Sequence, residues 1–240
     1  MVMPFLLVAP TRATVLATAM IAIIILGSTA YLGKQYASLP GVLPVHFRSD
    51  GFPDGWQFKT PTRVLVPVFV QIALTLTLGA IGGLLLFRPS GELVSGGDEA
   101  PDVKAAAVAA EAVVLITLIW VAFQGYAAWA LIQMWTSERA GLGGWYYGLE
   151  LAGGIVTIGA ASRAHWRLGR PLPRPFVAEH WRLGQLYKNP ADPALFVPTR
   201  DGRRWTLNFG RPVAAALLGL ILLLGIIGPT VILGLVLRGS

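Results

Sequence analysis

Apolar residues fill five long runs of this chain, and two polar stretches break them into groups. Residues 13–32 carry no charge and reach the roughly 20 residues that a helix rising about 1.5 Å per residue needs to cross a hydrocarbon layer. Arg12 before this run and Ser28-Thr29-Ala30 near its end resemble a secretory leader with a cleavage site. The run exceeds the usual leader core of about 7 to 15 residues, so it reads as a first transmembrane helix. Residues 64–87, bounded by Arg63 and Arg88-Pro89, make a second, and 105–132, alanine-rich first and aromatic later, make a third. Residues 146–162 make a fourth, and 212–237 a fifth with a kink expected at Gly228-Pro229. The pattern predicts an all-α membrane protein of about five transmembrane helices. It divides into a four-helix membrane region (1–162) with an outer loop at 33–62, a basic segment (163–211) and the fifth helix (212–240).

The first polar stretch, 39–59, is densely punctuated. Pro40 and Pro44 fix φ and bias the residue before each towards extended backbone, while Gly51, Pro53, Asp54 and Gly55 supply turn chemistry, so a shaped loop is expected. In the second stretch His165-Trp166-Arg167-Leu168-Gly169 recurs as His180-Trp181-Arg182-Leu183-Gly184, a repeat too short for a solenoid unit. Further on, Leu195-Phe196-Val197 and Trp205-Thr206-Leu207 flank Asp201-Gly202, which predicts a small β-hairpin closed by a two-residue turn. A lone hairpin is marginal in water, so Phe196, Trp205 or Phe209 should pack on helix ends, lipid or a partner.

Composition agrees with a membrane protein. Charged residues are 13% of the chain, against about 25% in soluble domains. The absence of cysteine excludes disulfides, thiolate metal sites and cysteine nucleophiles. With the N-terminus in the cytoplasm, thirteen of the 19 Lys and Arg residues lie inside and six outside, led by Arg163, Arg167, Arg170 and Arg211 near the spans. That topology faces 39–59 outwards and puts the hairpin in the cytoplasm. Trp120, Phe123, Tyr126, Trp129, Trp135, Trp145, Tyr146 and Tyr147 match an interfacial aromatic belt. The net charge of +7 then reflects topology and an attraction to anionic lipid head groups, about 1 kcal/mol for each basic residue near the surface, rather than a nucleic-acid partner.

Few residues offer chemistry. His46, Asp50 and Asp54 could converge as weak candidates for a zinc or manganese site; the plainer reading is that Asp54 caps a turn and His46 packs beside Pro44. Phe47, Phe52, Trp56 and Phe58 give the same stretch apolar contact area for a peptide or lipid head group. Glu111 and Glu150 fall inside predicted spans, where a central carboxylate costs about 2.5 to 3.5 kcal/mol, so both should avoid lipid and pair within the bundle or reach water. A proton or cation path between them is a further reading. Prolines between His165 and His180 keep them off one helix and argue against haem. No phosphate-cradling glycine loop, serine elbow or zincin motif is present, so neither a cofactor nor an enzymatic activity is expected.

Leu39, Pro40, Leu43, Pro44, His46, Phe47, Gly51, Pro53, Asp54 and Lys59 form a pattern that resembles the outer-loop signature of SdpI-like bacterial integral membrane proteins. Tyr187, Asn189, Pro190, Asp192, Pro193, Leu195 to Pro198, Gly202 and Trp205 to Phe209 resemble a second, short domain of unknown function. The first resemblance implies a bacterial inner-membrane protein whose best-known relative confers immunity to a secreted toxic peptide and holds a transcriptional repressor at the membrane. On this footing the protein is expected to bind a peptide or protein partner through Pro40, Pro44, His46, Phe47, Asp50 and Asp54 outside, with Asn189, Asp192, Trp205 and Asn208 as contacts on the cytoplasmic side. The alternative is an accessory subunit that stabilises a larger membrane complex through helix and lipid contacts.

Overall fold

A computed structural model describes residues 5–48, 50, 52–89, 101–136, 144–171, 174–220 and 222. Five helices carry most of them: α1 (Arg12–Gln35), α2 (Pro61–Val64), α3 (Val66–Leu86), α4 (Pro101–Thr136) and α5 (Gly144–Leu168). Residues 212–220 are also helical. Thr60 starts α2 by accepting a hydrogen bond from the Arg63 backbone N–H, and Pro61 occupies the first helical turn, where its missing donor costs nothing.

Three helical stretches, Arg12–Ser38, Val66–Leu86 and Val103–Thr136, are long and apolar enough to cross a membrane. They coincide with the first three of the five expected spans. The fourth predicted span falls in α5, which is diluted by Gly144, Gly148, Gly153, Gly154 and Gly159 and carries Glu150, Arg163 and Arg167. Most of the fifth, including Gly228-Pro229, lies outside the described residues, as do Glu92, Asp98 and Glu99 of the linker before α4.

The all-α expectation also needs amending, because four two-stranded antiparallel sheets accompany the helices. They pair β1 (Phe5–Leu7) with β4 (Phe87–Pro89), β2 (Val42–Phe47) with β3 (Pro53–Phe58), β5 (Trp181–Arg182) with β6 (Leu186–Tyr187), and β7 (Phe196–Pro198) with β8 (Trp205–Leu207). The anticipated 196–207 hairpin is present, in the register Phe196↔Leu207, Val197↔Thr206 and Pro198↔Trp205. Its connection is longer than two residues. Thr199 N–H donates to the Arg204 carbonyl, and Gly202, at φ +65°, donates back to the Thr199 carbonyl to close the turn. Asp201 accepts from the Thr199 hydroxyl and the Arg203 N–H, so Asp201-Gly202 sits inside a larger turn.

The chain forms two compact units. One comprises Met1–Val15, Gly79–Val114 and Ala161–Pro229, the other Leu16–Leu78, Leu115–Ala160 and Thr230–Ser240. The second unit is built on an apolar cluster of Leu32, Leu39, Leu43, Val64, Val68, Ala128, Ile132, Met134 and Trp135. In the same unit Gly125 lets α1 and α3 approach α4: a Cβ there would stand 3.3 Å from Ile24 Cγ2 and 3.5 Å from Ser28 Oγ. The fully buried Gln71 side chain bridges this point, donating to Ser28 Oγ and the Val121 carbonyl. The first unit holds the strand pair of β1 with β4 and the whole of the basic segment.

Candidate functional site

The punctuated stretch is a β-hairpin rather than a loop. β2 and β3 pair Val42 with Phe58, Leu43 with Gln57 and Pro44 with Trp56, and a register shift then sets His46 opposite Gly55. Gly55 is required by contact, since a Cβ there would lie 2.8 Å from His46 Cβ. Pro44 is tolerated in a strand because β2 has a single neighbour and need not donate on both sides. Alternation does the rest. Leu43 points into the core and is fully buried, while the preceding Val42 is exposed, as are Trp56 and Phe58 on the facing strand.

Several contacts fix this hairpin to its unit. Leu39 and Leu43 belong to the apolar cluster, and Trp135 Nε1 donates to the Pro44 carbonyl at 3.1 Å. Lys59 Nζ donates to the carbonyls of Tyr36 and Leu39 and lies 4.9 Å from the centre of the Tyr36 ring. Arg63 Nη1 donates to the Phe58 carbonyl, closing the far strand onto α2. The motif residues Leu39, Leu43, Pro44 and Lys59 thus serve anchorage, and what they hold up is the opposite face. There Val42 is 45% exposed, Trp56 58% and Phe58 77%.

Of the expected metal set, only two members meet. His46 Nδ1 and the Asp54 carboxylate lie 2.5 Å apart at the solvent-accessible edge. Asp50 instead accepts from the Phe52 N–H in an Asx turn and pairs with Arg48 at 3.4 Å. Among the described residues no group of three or more His, Asp or Glu converges as a metal site. Pro40 lies between the buried Leu39 and the start of β2, Phe47 ends β2, and Ser49 and Gly51 at the tip lie outside the described residues.

The two intramembrane acids part company. Glu111, 2% exposed on α4, accepts from Arg163 and Arg167 on α5 at one carboxylate oxygen and from the Thr11 hydroxyl at the other. Arg163 and Arg167 are four residues apart and so share a helix face. This buried carboxylate clamps three parts of the first unit together, as expected of an acid that must avoid lipid. Glu150 is in the other unit and is exposed on α5, the arrangement in which an acid reaches water rather than pairing within the bundle. Glycines on both sides leave that helix little bulk with which to enclose it.

Of the four residues read as cytoplasmic contacts, Asn189, Asp192 and Asn208 are joined by hydrogen bonds, and Trp205 bonds elsewhere. Asn208 is fully buried. Its amide donates to the carbonyls of Asn189, Asp192 and Ala194, and its side-chain oxygen accepts from the N–H groups of Asn189 and Gly210. Asn189 and Asp192 each accept from a backbone N–H two residues on, and Asp192 also binds the Tyr187 hydroxyl and Arg174. Burial, first, pushes the Tyr187 phenol above its ordinary pKa. Gly210 presses on this knot so closely that a Cβ would stand 2.5 Å from the Asn189 carbonyl carbon. Trp205 Nε1 donates to the Gly169 carbonyl just past the end of α5. The Asn-Pro and Asp-Pro pattern therefore builds a hydrogen-bonded platform.

Sequence reasoning did not anticipate the Arg163–Glu111–Arg167 clamp, although the i, i+4 spacing of two arginines at the end of an apolar helix was a signal for it. Gln71 was another: a lone amide in an apolar span needs partners.

With this geometry in view, residues 23–70 match a known family, Domain of unknown function (DUF1648). The match runs from within α1 through the β2–β3 hairpin to the start of α3. No curated protein and no solved structure matches the chain. The chain is thus largely helical, with three helices that suggest a membrane protein, and its residues 23–70 are similar to DUF1648.

Proposed function

We propose that this is a non-enzymatic membrane protein of the SdpI-like kind that binds a peptide or protein partner on the exposed face of the β2–β3 hairpin, in an immunity or signalling role. One observation carries the reading. Val42, Trp56 and Phe58 form an uncovered apolar face on a hairpin whose reverse side is pinned by Leu39, Leu43, Trp135 and Lys59. Large aromatics on a pre-ordered support lose little conformational entropy on binding, which is what a recognition surface needs. The His46–Asp54 pair at its edge adds a polar group of fixed orientation to select among apolar ligands. On this reading the hairpin faces outwards from a bacterial inner membrane.

The test is a strain lacking the gene, complemented at matched protein levels by the wild type or by Trp56→Ser/Phe58→Ser and challenged with secreted membrane-active peptides. Sensitivity rescued by the wild type and not by the variant is expected. Equal rescue by both would remove the hairpin face from the function. Purification in mild detergent as a stoichiometric complex of large, reproducible mass would favour the accessory-subunit role instead.

A further inference from the structure

The structure assigns a second binding site, in the other unit and independent of the hairpin: a groove lined by His165, Trp166, Arg170, Arg203 and Arg204 that receives the phosphate head group of an anionic membrane lipid. The groove is assembled by two local devices. Gly169, at φ +63°, ends α5 with its N–H returning to the Trp166 carbonyl, a left-handed cap that glycine adopts without strain. The carbonyl of that same Gly169 then accepts from Trp205 Nε1 at 3.2 Å. This bond draws the β7–β8 hairpin to the helix end and sets Arg203 and Arg204 beside Arg170 and His165.

The charge gathered there is only partly offset, by the electrostatic attraction between Asp201 and Arg203. The guanidinium groups of Arg170, Arg203 and Arg204 form no ion pair with a carboxylate among the described residues, and all three side chains are exposed. Asp201 is the nearby acid of the turn, and its carboxylate is already engaged by Thr199 and the Arg203 N–H. Arg167 and Arg163 at the same helix end are taken up by Glu111. The contrast separates the basic residues into those spent on structure and those left for a ligand.

A lipid fits better than a soluble anion. Trp166, at the rim, is 81% exposed, an amphipathic side chain that favours the head-group zone over bulk water. Arginine forks bind phosphate oxygens bidentately, which gives the site geometry as well as charge.

The experiment uses the full-length protein in nanodiscs of phosphatidylcholine alone or with an equal part of phosphatidylglycerol, counting retained lipids by native mass spectrometry. Phosphatidylglycerol is expected to be retained over phosphatidylcholine. Arg203→Gln/Arg204→Gln should weaken that retention by about thirtyfold, whereas Arg182→Gln/Lys188→Gln, which removes equal charge from the same segment, should leave it within about twofold. Arg203→Lys/Arg204→Lys should restore most of it, separating a binding defect from misfolding. Equal losses from the two neutralised pairs would reduce the site to diffuse attraction and overturn the proposal. So would no preference for phosphatidylglycerol, displacement of the lipid by inorganic phosphate at matched concentration, or selective retention of an acidic peptide or nucleic acid in its place.

Discussion

The β2–β3 hairpin and the 174–211 segment are both polar excursions from an apolar helical chain, yet they are fastened by opposite means. The hairpin is held by burial: Leu39 and Leu43 enter an apolar cluster, and its hydrogen bonds to Trp135 and Lys59 are few. The basic segment is held by polar atoms, with Asn208 alone joining five backbone groups and Asp192 tying Tyr187 to Arg174. Apolar fastening leaves the outward face free to be apolar too. Polar fastening consumes the segment's asparagines and aspartates and leaves arginines exposed. The same division separates the two candidate surfaces, one suited to an apolar ligand and the other to an anion.

The deepest polar fastening is also the place where this contrast breaks most sharply. Glu111 is nearly inaccessible, so Arg163→Ala/Arg167→Ala should cost about 3 to 5 kcal/mol by stranding a buried carboxylate. Arg163→Ala alone should cost far less, because Arg167 and Thr11 still reach the acid. Thermal unfolding in detergent reads both. Equal losses from the single and double variants would show that the arginines do not share the load.

A matched pair of smaller changes tests whether the two fastenings are separate. Leu43→Ala removes a fully buried side chain and should cost about 2 to 4 kcal/mol, and Asn208→Ala should cost about 2 to 3 by leaving buried donors and acceptors unpaired. Hydrogen exchange should quicken within 42–58 for the first and within 187–210 for the second. Faster exchange in both segments from either change would mean that the units do not respond separately.

The length of the apolar runs made the helices legible, because each of the three strongest spans needs only length and scarcity of charge. The β2–β3 hairpin was hidden by Pro44 and Pro53, which argue against central strands but not against a two-stranded ribbon. The repeat His-Trp-Arg-Leu-Gly shows the limit of local reading more plainly. Its first copy ends α5, while its second runs from a short 3₁₀ turn through β5 into a tight turn. What both keep is the glycine, left-handed at Gly169 and at Gly184. Five residues fixed the stop and left helix or strand to the surroundings. The site was legible in part: aromatic and proline spacing marked 39–59, whereas the direction in which Asn208 and Asp192 turn depends on partners up to 19 residues away.

The smallest effect concerns the turn that carries Arg203 and Arg204. Hydrogen bonds from the Thr199 hydroxyl and the Arg203 N–H hold the Asp201 carboxyl below the usual aspartate range. A carboxyl whose folded pKa is depressed contributes stability that is present above its unfolded value and lost as pH falls through the folded one. Hairpin order should therefore loosen only in acid, below the ordinary aspartate range, and Asp201→Asn should abolish that step because an amide oxygen still accepts but no longer titrates. Backbone exchange at Thr199, Gly202 and Arg204, followed as pH is lowered, checks this. A variant that keeps the acid step would assign it to another group. Because the whole effect belongs to one exposed turn, Asp201→Asn should leave exchange in the β2–β3 hairpin unchanged at every pH, so a change there would join two excursions that are fastened separately.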